Sequence, residues 1–259
     1  MDAVSGAAHL EIRGPVAEIR LDHPAKLNAL TVPMLEALES HCAALEAERG
    51  VRALVLSAEG ERAFCTGADI AAWGALSAEE FARGWVRMGH RVFDRLARLP
   101  LPTVAAIQGP AFGGGLELAA ACDIRVMGPA ARIALPEAGV GIVPGWSGTQ
   151  RLLRLLPEGV VKEMALFGRR IDAARAAALG FAAEVAEDPR ARAIEIAEGM
   201  SALSPRAVEA AKWMIHAAAG EDRAASVEAL GAAAMGATAD REEGVRAFLE
   251  KRRARFGGD

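Results

Sequence analysis

The sequence has few of the residues that build disulfide frameworks and metal centres. Three cysteines, odd in number and far apart, are typical of a reducing compartment rather than of a disulfide scaffold. Five histidines are present, and no two of them have the spacing of metal ligands, so we expect no metal site. The residues concerned are Cys42, Cys65, Cys122, His9, His23, His41, His90 and His216.

Long apolar runs and an excess of basic charge are also missing. No apolar segment reaches the roughly 18–20 residues needed to span a bilayer. The opening residues, MDAVSGAAHLEIRG, lack the basic region followed by an apolar one that defines a secretory signal. We therefore expect a cytoplasmic protein with no membrane partner. The net charge of −4 provides no overall basic field, so nucleic acid is not an expected partner either.

What the chain does have is an alternation of strand and helix patterns. With 259 residues, 52% of them hydrophobic, it can bury a substantial core. An antiparallel hairpin is predicted at residues 9–21, a helix capped by Thr31 follows, and residues 53–58 form a buried strand. Ser77 and Glu80 form a capping box that begins a long helix. Strands alternating with helices predict right-handed β-α-β units and an α/β fold.

Only helix signals follow residue 188. Asp188-Pro189 and Ser204-Pro205 predict two helix starts, and Asp240 with Glu243 predicts a third. These alanine-rich helices have little core of their own, so we expect them to pack on the body of the protein or on a neighbouring subunit. The predicted division is a core domain, residues 1–190, and a C-terminal helical region for packing and oligomerisation, residues 191–259.

The segment 102–150 carries the features that point to chemistry. TVAAIQ predicts a strand, the glycines of GPAFGGG break it, and an apolar helix begins at about Gly114. Free backbone N–H groups at the start of a helix attract an oxyanion, and glycines let a ligand approach the backbone closely. Glu117 is the only charged residue between Gln108 and Cys122, which predicts a buried carboxylate. The alternative is a first-turn glutamate that only favours the helix dipole.

Three runs of sequence carry a family resemblance. They are GPAFGGGLELAAACDIRV, the later LPEAGVGIVPGWSGTQRL, which contains Glu137, and the earlier FCTGADI at residues 64–70. Together they resemble the signatures of the enoyl-CoA hydratase (crotonase) superfamily, and the resemblance extends from about His9 to the end of the chain. It implies a crotonase-like fold of repeated ββα units, with a C-terminal helical region that supports homotrimers, often paired into hexamers.

The resemblance implies an acyl-CoA thioester substrate and no cofactor beyond the coenzyme A that the substrate carries. The backbone N–H groups of Ala68 and Gly114 would form an oxyanion hole. Glu117 would activate water and Glu137 would protonate Cα, so that water adds to a 2-enoyl-CoA. A Δ3-Δ2 enoyl-CoA isomerase and another crotonase-type dehydratase are the alternatives. Fatty acid β-oxidation is the context that the family suggests, while the residues leave the acyl group and the pathway open.

The same resemblance implies a set of binding residues. The loop PAKLNAL resembles the segment whose backbone holds the adenine, here at Lys26 and Leu27, and Lys26 could reach a phosphate. Lys251, in FLEKRRARF, would contact the nucleotide across a subunit boundary. Both lysines could equally be ordinary surface charges. The predicted binding set also includes Asp69, Ile70 and Gly113.

Trp146 is a departure from the family pattern. It follows the Pro-Gly turn after Glu137, where the family commonly has a small residue, and it could either reshape the acyl pocket or fill the core. Trp73, Phe81 and Trp85 lie where the family builds its acyl channel, and the same two interpretations apply to them. Of the four, we expect Trp146 to contact the substrate and to set the acyl preference.

Three other classes of protein compete with this interpretation. A dinucleotide-binding enzyme is disfavoured because GPAFGGG lacks the GxGxxG order and GVGIVP ends in proline where the third glycine belongs. A serine hydrolase is disfavoured because GWSGT has Thr149 in place of glycine and no histidine nearby in the sequence. The fold alone does not separate an enzyme from a scaffold or an RNA-binding protein, but two glutamates and two oxyanion loops argue for catalysis.

Overall fold

The computed structural model describes residues 6–221 and 223–259. Residues 1–5, the start of the segment examined for a secretory signal, lie outside them. The strands in the described residues are β1 (Ala7–Arg13), β2 (Val16–Asp22), β3 (Ala53–Ala58), β4 (Thr103–Ile107), β5 (Ala111–Phe112), β6 (Ile124–Met127), β7 (Arg132–Ala134), β8 (Ile171–Asp172) and β9 (Glu184–Val185).

The helices of the same residues follow the strands in alternation along most of the chain. They are α1 (Val32–Ala47), α2 (Ile70–Trp73), α3 (Ala78–Glu80), α4 (Arg87–Ala97), α5 (Gly114–Ala120), α6 (Gly148–Leu155), α7 (Glu158–Phe167), α8 (Ala173–Ala178), α9 (Pro189–Gly199), α10 (Pro205–Ala218), α11 (Arg223–Gly236) and α12 (Ala239–Leu249). None of the helices in this described part combines the length and the apolar character that a membrane span requires.

The strands of the described residues form two β-sheets. The larger has the strand order β1-β2-β3-β4-β6-β9. Its edge pair β1–β2 is the predicted antiparallel hairpin, and the remaining neighbours are parallel, as β-α-β crossovers require. The smaller sheet, β5-β7-β8, pairs β5 with β7 in parallel and β7 with β8 in antiparallel orientation. The predicted α/β class is confirmed.

The central strands of the larger sheet are buried on both faces. In β3, Leu54 and Leu56 join an apolar cluster that includes Leu38 of α1. Val55, between them, joins a second cluster that includes Ala193 of α9. Because successive side chains of a strand point to opposite faces, a continuous apolar run such as ALVLSA is what a strand covered on both sides needs.

The predicted helix starts in the first half of the chain are present. The Thr31 side chain accepts a hydrogen bond from the backbone N–H of Met34, and both bonds of the capping box at Ser77 and Glu80 are formed. Beyond α3 the helix continues through a π-helical segment, Phe81–Val86, before α4. Segments of π-helix in proteins occur frequently at functional sites, and this one contributes to the cavity described below.

The chain divides into two compact units, Met1–Pro205 and Arg206–Asp259. In the first, Asp188 caps α9 as predicted, by accepting from the N–H of Ala191. In the second, the predicted start at Asp240 is wrong by two residues. Thr238 is the cap, since its side chain accepts from Arg241 N–H, whereas Asp240 lies in the first turn. The predicted division at residue 190 lies after the last strand, whereas the two compact units meet at residue 205. The predicted domain boundary and the predicted role of the C-terminal region in oligomerisation stay predictions.

Candidate active site

Two loops that are distant in the sequence meet at the start of α5. The Phe112 backbone N–H donates to the carbonyl oxygen of Cys65 at 2.9 Å. A Cβ added at Gly67 would lie 3.5 Å from the amide nitrogen of Gly114, and one added at Gly114 would lie 3.7 Å from the amide nitrogen of Ala68. The two backbone N–H groups predicted for an oxyanion hole, those of Ala68 and Gly114, therefore lie close together.

Glycine is required for this close approach. A Cβ at Gly115, in the first turn of α5, would overlap the carbonyl oxygen of Cys65. Gly113, which directly precedes the helix, has φ +50°, a conformation that side chains other than glycine's rarely adopt. The FGGG run thus lets the start of the helix pack closely against the TGADI loop.

Glu117 lies one turn into α5 and is 2% exposed. Its Oε1 accepts hydrogen bonds from the backbone N–H groups of Trp146, at 2.8 Å, and Gly148, at 2.9 Å. Burial raises the pKa of this carboxyl, and the bonds from the backbone N–H groups act in the opposite direction. The predicted buried carboxylate is confirmed, and one of its oxygens is held by the chain that follows Glu137.

Glu137 is the first residue of a 3₁₀ turn, Glu137–Val140, and is 8% exposed. Its Oε2 is buried and has no hydrogen-bond partner in the described part of the chain. Burial raises the pKa of Glu137 to about 7, and the nearby charge of Glu117 adds to the effect. A carboxyl with a pKa near neutrality and an oxygen without a partner is equipped to exchange a proton with a ligand.

Both glutamates line one cavity of about 410 Å³, a size typical of a small-molecule site. Ala68, Gly113 and Gly114 lie in its wall, so the residues of the predicted oxyanion hole and the two glutamates line the same space. The rest of the wall is mainly apolar and aromatic. Its members are Thr66, Gly67, Ile70, Trp73, Phe81, Trp85, Val86, His90, Pro136, Val140, Ile142, Val143, Pro144, Gly145 and Trp146.

The predicted adenine loop lies against the TGADI loop. Lys26 Nζ donates to Asp69 Oδ2 at 2.7 Å, and the N–H of Thr66 donates to the carbonyl oxygen of Leu27 at 3.1 Å. Leu27 has φ +55° and Asn28 has φ +56°, so the backbone turns sharply here. Neither Lys26 nor Asp69 is among the described residues that line the cavity. Their contact with coenzyme A stays a prediction.

Lys251 belongs to the second unit. It is exposed and follows α12 with φ +53°. Its predicted contact with the nucleotide from a neighbouring subunit stays a prediction.

Trp146 takes part in both the cavity and the core. Its side chain is 3% exposed and packs on Trp85 and Phe93, with ring centroids 5.2 Å apart in each case. A Cβ at Gly89 would overlap its indole nitrogen, so a glycine on α4 makes room for the ring. The backbone of Trp146 meanwhile holds Glu117. The side chain is therefore core packing that also forms part of the cavity wall.

Sequence reasoning missed a contact between His90 and Ser147. His90 Nδ1 lies 2.6 Å from Ser147 Oγ, although the two residues are far apart in the chain. His90 lines the cavity, whereas Ser147 is not among the described residues of its wall. The serine that a hydrolase would use therefore has a histidine beside it. This serine is not, however, among the described residues that line the cavity with Ala68 and Gly114. One sequence feature could have suggested the position of His90: it lies one helical turn beyond Val86, another residue of the cavity wall.

Comparison with known proteins shows the family to which the chain belongs. The family model for enoyl-CoA hydratase/isomerase matches residues 11–259. The short-chain-enoyl-CoA hydratase of Clostridium acetobutylicum is 35% identical, over 94% of this chain and 95% of its own. The crotonyl-CoA hydratase of Syntrophomonas wolfei is 36% identical, over 95% of this chain and 96% of its own. The structure of an enoyl-CoA hydratase from Bacillus anthracis has a TM-score of 0.80 at 35% identity, covering 97% and 99% of the two chains.

The fold and the family match define an enzyme of the crotonase class. Within that class, the chain belongs to the enoyl-CoA hydratase/isomerase family.

Proposed function

We propose that this protein is an enoyl-CoA hydratase, which adds water reversibly across the double bond of a 2-enoyl-CoA to give a 3-hydroxyacyl-CoA. One observation carries the proposal: two buried glutamates line a single cavity together with Ala68 and Gly114, whose backbones lie close together. The relatives named for enoyl-CoA and crotonyl-CoA hydration, which match nearly the whole chain, support the same reaction.

The N–H groups of Ala68 and Gly114 bind the thioester oxygen. Water addition makes the substrate pass through an enolate, whose negative charge develops on that oxygen. Fixed donors stabilise such a charge as it appears, and one donor of this kind is worth about 3–4 kcal/mol. The carbonyl also polarises the double bond, so that Cβ accepts the oxygen of water.

The two carboxyls divide the proton transfers. Glu117 accepts a proton from the water that attacks Cβ, because its carboxylate is held in place by backbone N–H groups. Glu137 delivers a proton to Cα, since a pKa of about 7 keeps a large fraction of it protonated near neutral pH. The reverse reaction, dehydration, uses the same groups in the opposite protonation states.

The isomerase alternative rests on one specific feature. Oε1 of Glu117 already accepts two hydrogen bonds, whereas Oε2 of Glu137 has no partner in the described residues. A Δ3-Δ2 isomerase needs only one group to carry a proton between carbons, and Glu137 could do so alone. A crotonase-type dehydratase would use both carboxyls in the reverse direction.

Coenzyme A enters as part of the substrate, and no separate cofactor takes part. The backbone near Lys26 and Leu27 holds the adenine, and Lys251 of a neighbouring subunit meets the nucleotide. A homotrimer or hexamer is supported by large apolar side chains that are more than half exposed in the second unit, among them Ile215, Phe248 and Leu249. A cytoplasmic location and a role in fatty acid β-oxidation complete the proposal.

A panel of enoyl-CoA thioesters tests the reaction class. Purified protein is offered 2-enoyl and 3-enoyl thioesters of varied chain length and branching, and the 2-enoyl absorbance is followed, which falls on hydration and rises when a 3-enoyl thioester is isomerised. Hydration of 2-enoyl thioesters that is faster than isomerisation of 3-enoyl thioesters supports the hydratase. The reverse order replaces it with the isomerase. Light scattering that gives a 27.0 kDa monomer at micromolar concentration would refute the oligomer and the partner's lysine with it.

A further inference from the structure

Ser147 stands between the two backbone groups that hold Glu117. The N–H groups of Trp146 and Gly148 donate to the same oxygen, Oε1, at 2.8 and 2.9 Å. N–H groups on either side of one residue reach a single oxygen when the backbone between them turns sharply, as it does in the anion-binding concavities of turns. The way in which Glu117 is held therefore depends on the conformation of Ser147.

The backbone of Ser147 is left-handed, with φ +69° and ψ +13°. A residue that carries a Cβ adopts this conformation at a cost, whereas glycine adopts it freely. Serine at the start of a helix commonly accepts a hydrogen bond from an N–H of the first turn. Ser147 directly precedes α6, but its side chain makes no such bond. Neither backbone preference nor helix capping therefore explains a serine at this position.

The hydroxyl of Ser147 instead shares a hydrogen bond with His90 of α4, with 2.6 Å between Oγ and Nδ1. This bond ties the left-handed residue to a helix whose other side chains pack in the core. A second contact joins the same helix to the start of α6, since Arg151 Nη2 donates to Asp94 Oδ1 at 2.5 Å. The proposed mechanism gives no role to Ser147 or His90.

We infer that Ser147 and His90 are positioning residues for Glu117. Their hydrogen bond holds Ser147 in its left-handed conformation, and that conformation directs the two flanking N–H groups to Oε1. The inference rests on the proposed hydratase function and adds to it the residues that orient the base. Glu137 belongs to a separate turn, Glu137–Val140, so the delivery of a proton to Cα does not depend on this bond.

Two reactions of the same enzyme separate this role from a purely structural one. Hydration of a 2-enoyl-CoA needs Glu117, whereas exchange of the α-protons of butanoyl-CoA in D₂O needs only the oxyanion donors and Glu137. Ser147→Ala keeps the Cβ and removes the hydroxyl. We expect it to lower the ratio of the hydration kcat to the exchange rate by about tenfold to 10²-fold, the effect of displacing a reacting group. Partial misfolding would lower both rates and leave the ratio unchanged.

Further variants test both ends of the bond. Ser147→Gly also lacks the hydroxyl, but glycine adopts the left-handed conformation freely, so its ratio should lie between those of Ser147→Ala and the wild type. His90→Asn keeps a polar group near the position of Nδ1 and should retain the ratio, whereas His90→Phe keeps only a ring and should lower it. Added to Ser147→Ala, His90→Phe should lower the ratio no further, because both changes remove the same bond.

Ser57→Ala is the control for the loss of a serine hydroxyl. Ser57 Oγ donates to Glu18 Oε1 at 2.5 Å, and Ser57 is not among the described residues of the cavity wall, so the ratio should stay unchanged. A wild-type ratio in Ser147→Ala, or a ratio in Ser147→Gly no higher than in Ser147→Ala, would overturn the inference while the hydratase stands. If the wild type hydrates no 2-enoyl-CoA or exchanges no α-protons, the proposed function itself fails, and this inference fails with it.

Discussion

The two sides of the active site hold their carboxyls in opposite ways. Glu117 belongs to a helix packed into the core, and one of its oxygens accepts two backbone hydrogen bonds. Glu137 begins a short turn whose later residues are open to solvent, with Val140 54% and Val143 76% exposed. Its Oε2 has no partner within residues 6–221 and 223–259. One carboxylate is thus positioned, and the other is left free to exchange a proton.

The contrast shows that burial alone does not determine a carboxyl's role. Burial raises the pKa of both groups. The backbone N–H groups of Trp146, Gly148 and Gly145 counteract it at Glu117, whereas at Glu137 its own backbone N–H is the one that does. A base that must orient water profits from a fixed geometry. An acid that must deliver a proton at neutral pH profits from a pKa near 7 and from having no competing partner.

Replacing either glutamate by glutamine should have the largest effect. Glutamine keeps the shape but cannot exchange a proton, so each change should lower kcat for hydration about 10²-fold to 10⁴-fold. Because the two groups act as a unit, the double variant should be much less impaired than the product of the single losses. Steady-state kinetics on a 2-enoyl-CoA measures all three. If Glu117→Gln abolishes hydration while isomerisation of 3-enoyl-CoA is the faster activity of the native protein, the isomerase replaces the hydratase.

Trp146→Ala tests how the indole holds in place the backbone segment that binds Glu117. Removing a buried indole should cost about 3–5 kcal/mol in the free energy of unfolding, measured by urea denaturation. It should also change the chain-length profile of kcat/KM, with nearly unchanged affinity for free coenzyme A. If stability falls and the profile stays the same, Trp146 is packing only.

Two glycine changes displace the two carboxyls separately. A Cβ at Gly148 would lie 2.6 Å from Oε1 of Glu117, and a Cβ at Gly113 would lie 2.8 Å from Oε1 of Glu137. A displacement of about 1 Å at a reacting group can cost 10²-fold, so we expect Gly148→Ala and Gly113→Ala each to lower kcat by about that factor. Gly139→Ala, in the turn that begins with Glu137, is the control, since its Cβ would meet nothing within 4 Å. Equal losses in all three variants would contradict the assignment.

The pH dependence should report Glu137. If its protonated form is the acid, kcat/KM for hydration falls as pH rises through about 7, and by about tenfold per pH unit above it. The folded state also binds this proton more tightly than the unfolded chain does between pH 4.5 and about 7, so stability falls across that window. Glu137→Gln removes the effect. Its Tm should exceed that of the wild type at pH 8, with a smaller difference at pH 4; a constant difference would contradict the raised pKa.

Much of the fold was predictable because the signals are local. Three such signals are the cap at Thr31, the capping box at Ser77 and the apolar run at residues 53–58. Each depends only on residues that are close together in the sequence. The ambiguous start at Asp240 shows the limit, since Thr238 and Asp240 are both suitable caps and only the folded chain selects one. The two-residue strand β5 inside the glycine turn has too short a pattern to predict.

The site was predictable only in part. Glu117 stands alone as a charge in an apolar run, and the glycines beside it mark a close approach, so both could be found from the sequence. The bond between His90 and Ser147 depends on how α4 packs beside the Pro-Gly loop, which no local pattern encodes. The Nε1 of Trp73, which is buried without a hydrogen-bond partner among the described residues, is likewise a result of packing. The sequence could only place this ring near the acyl channel.

Exchange of the α-protons of butanoyl-CoA in D₂O tests the central claim most directly. This saturated thioester cannot add water, so exchange needs only the oxyanion donors and the group that moves a proton at Cα. The division of roles predicts that Glu117→Gln retains exchange while losing hydration, and that Glu137→Gln loses both. Exchange that is lost in Glu117→Gln and retained in Glu137→Gln would contradict it.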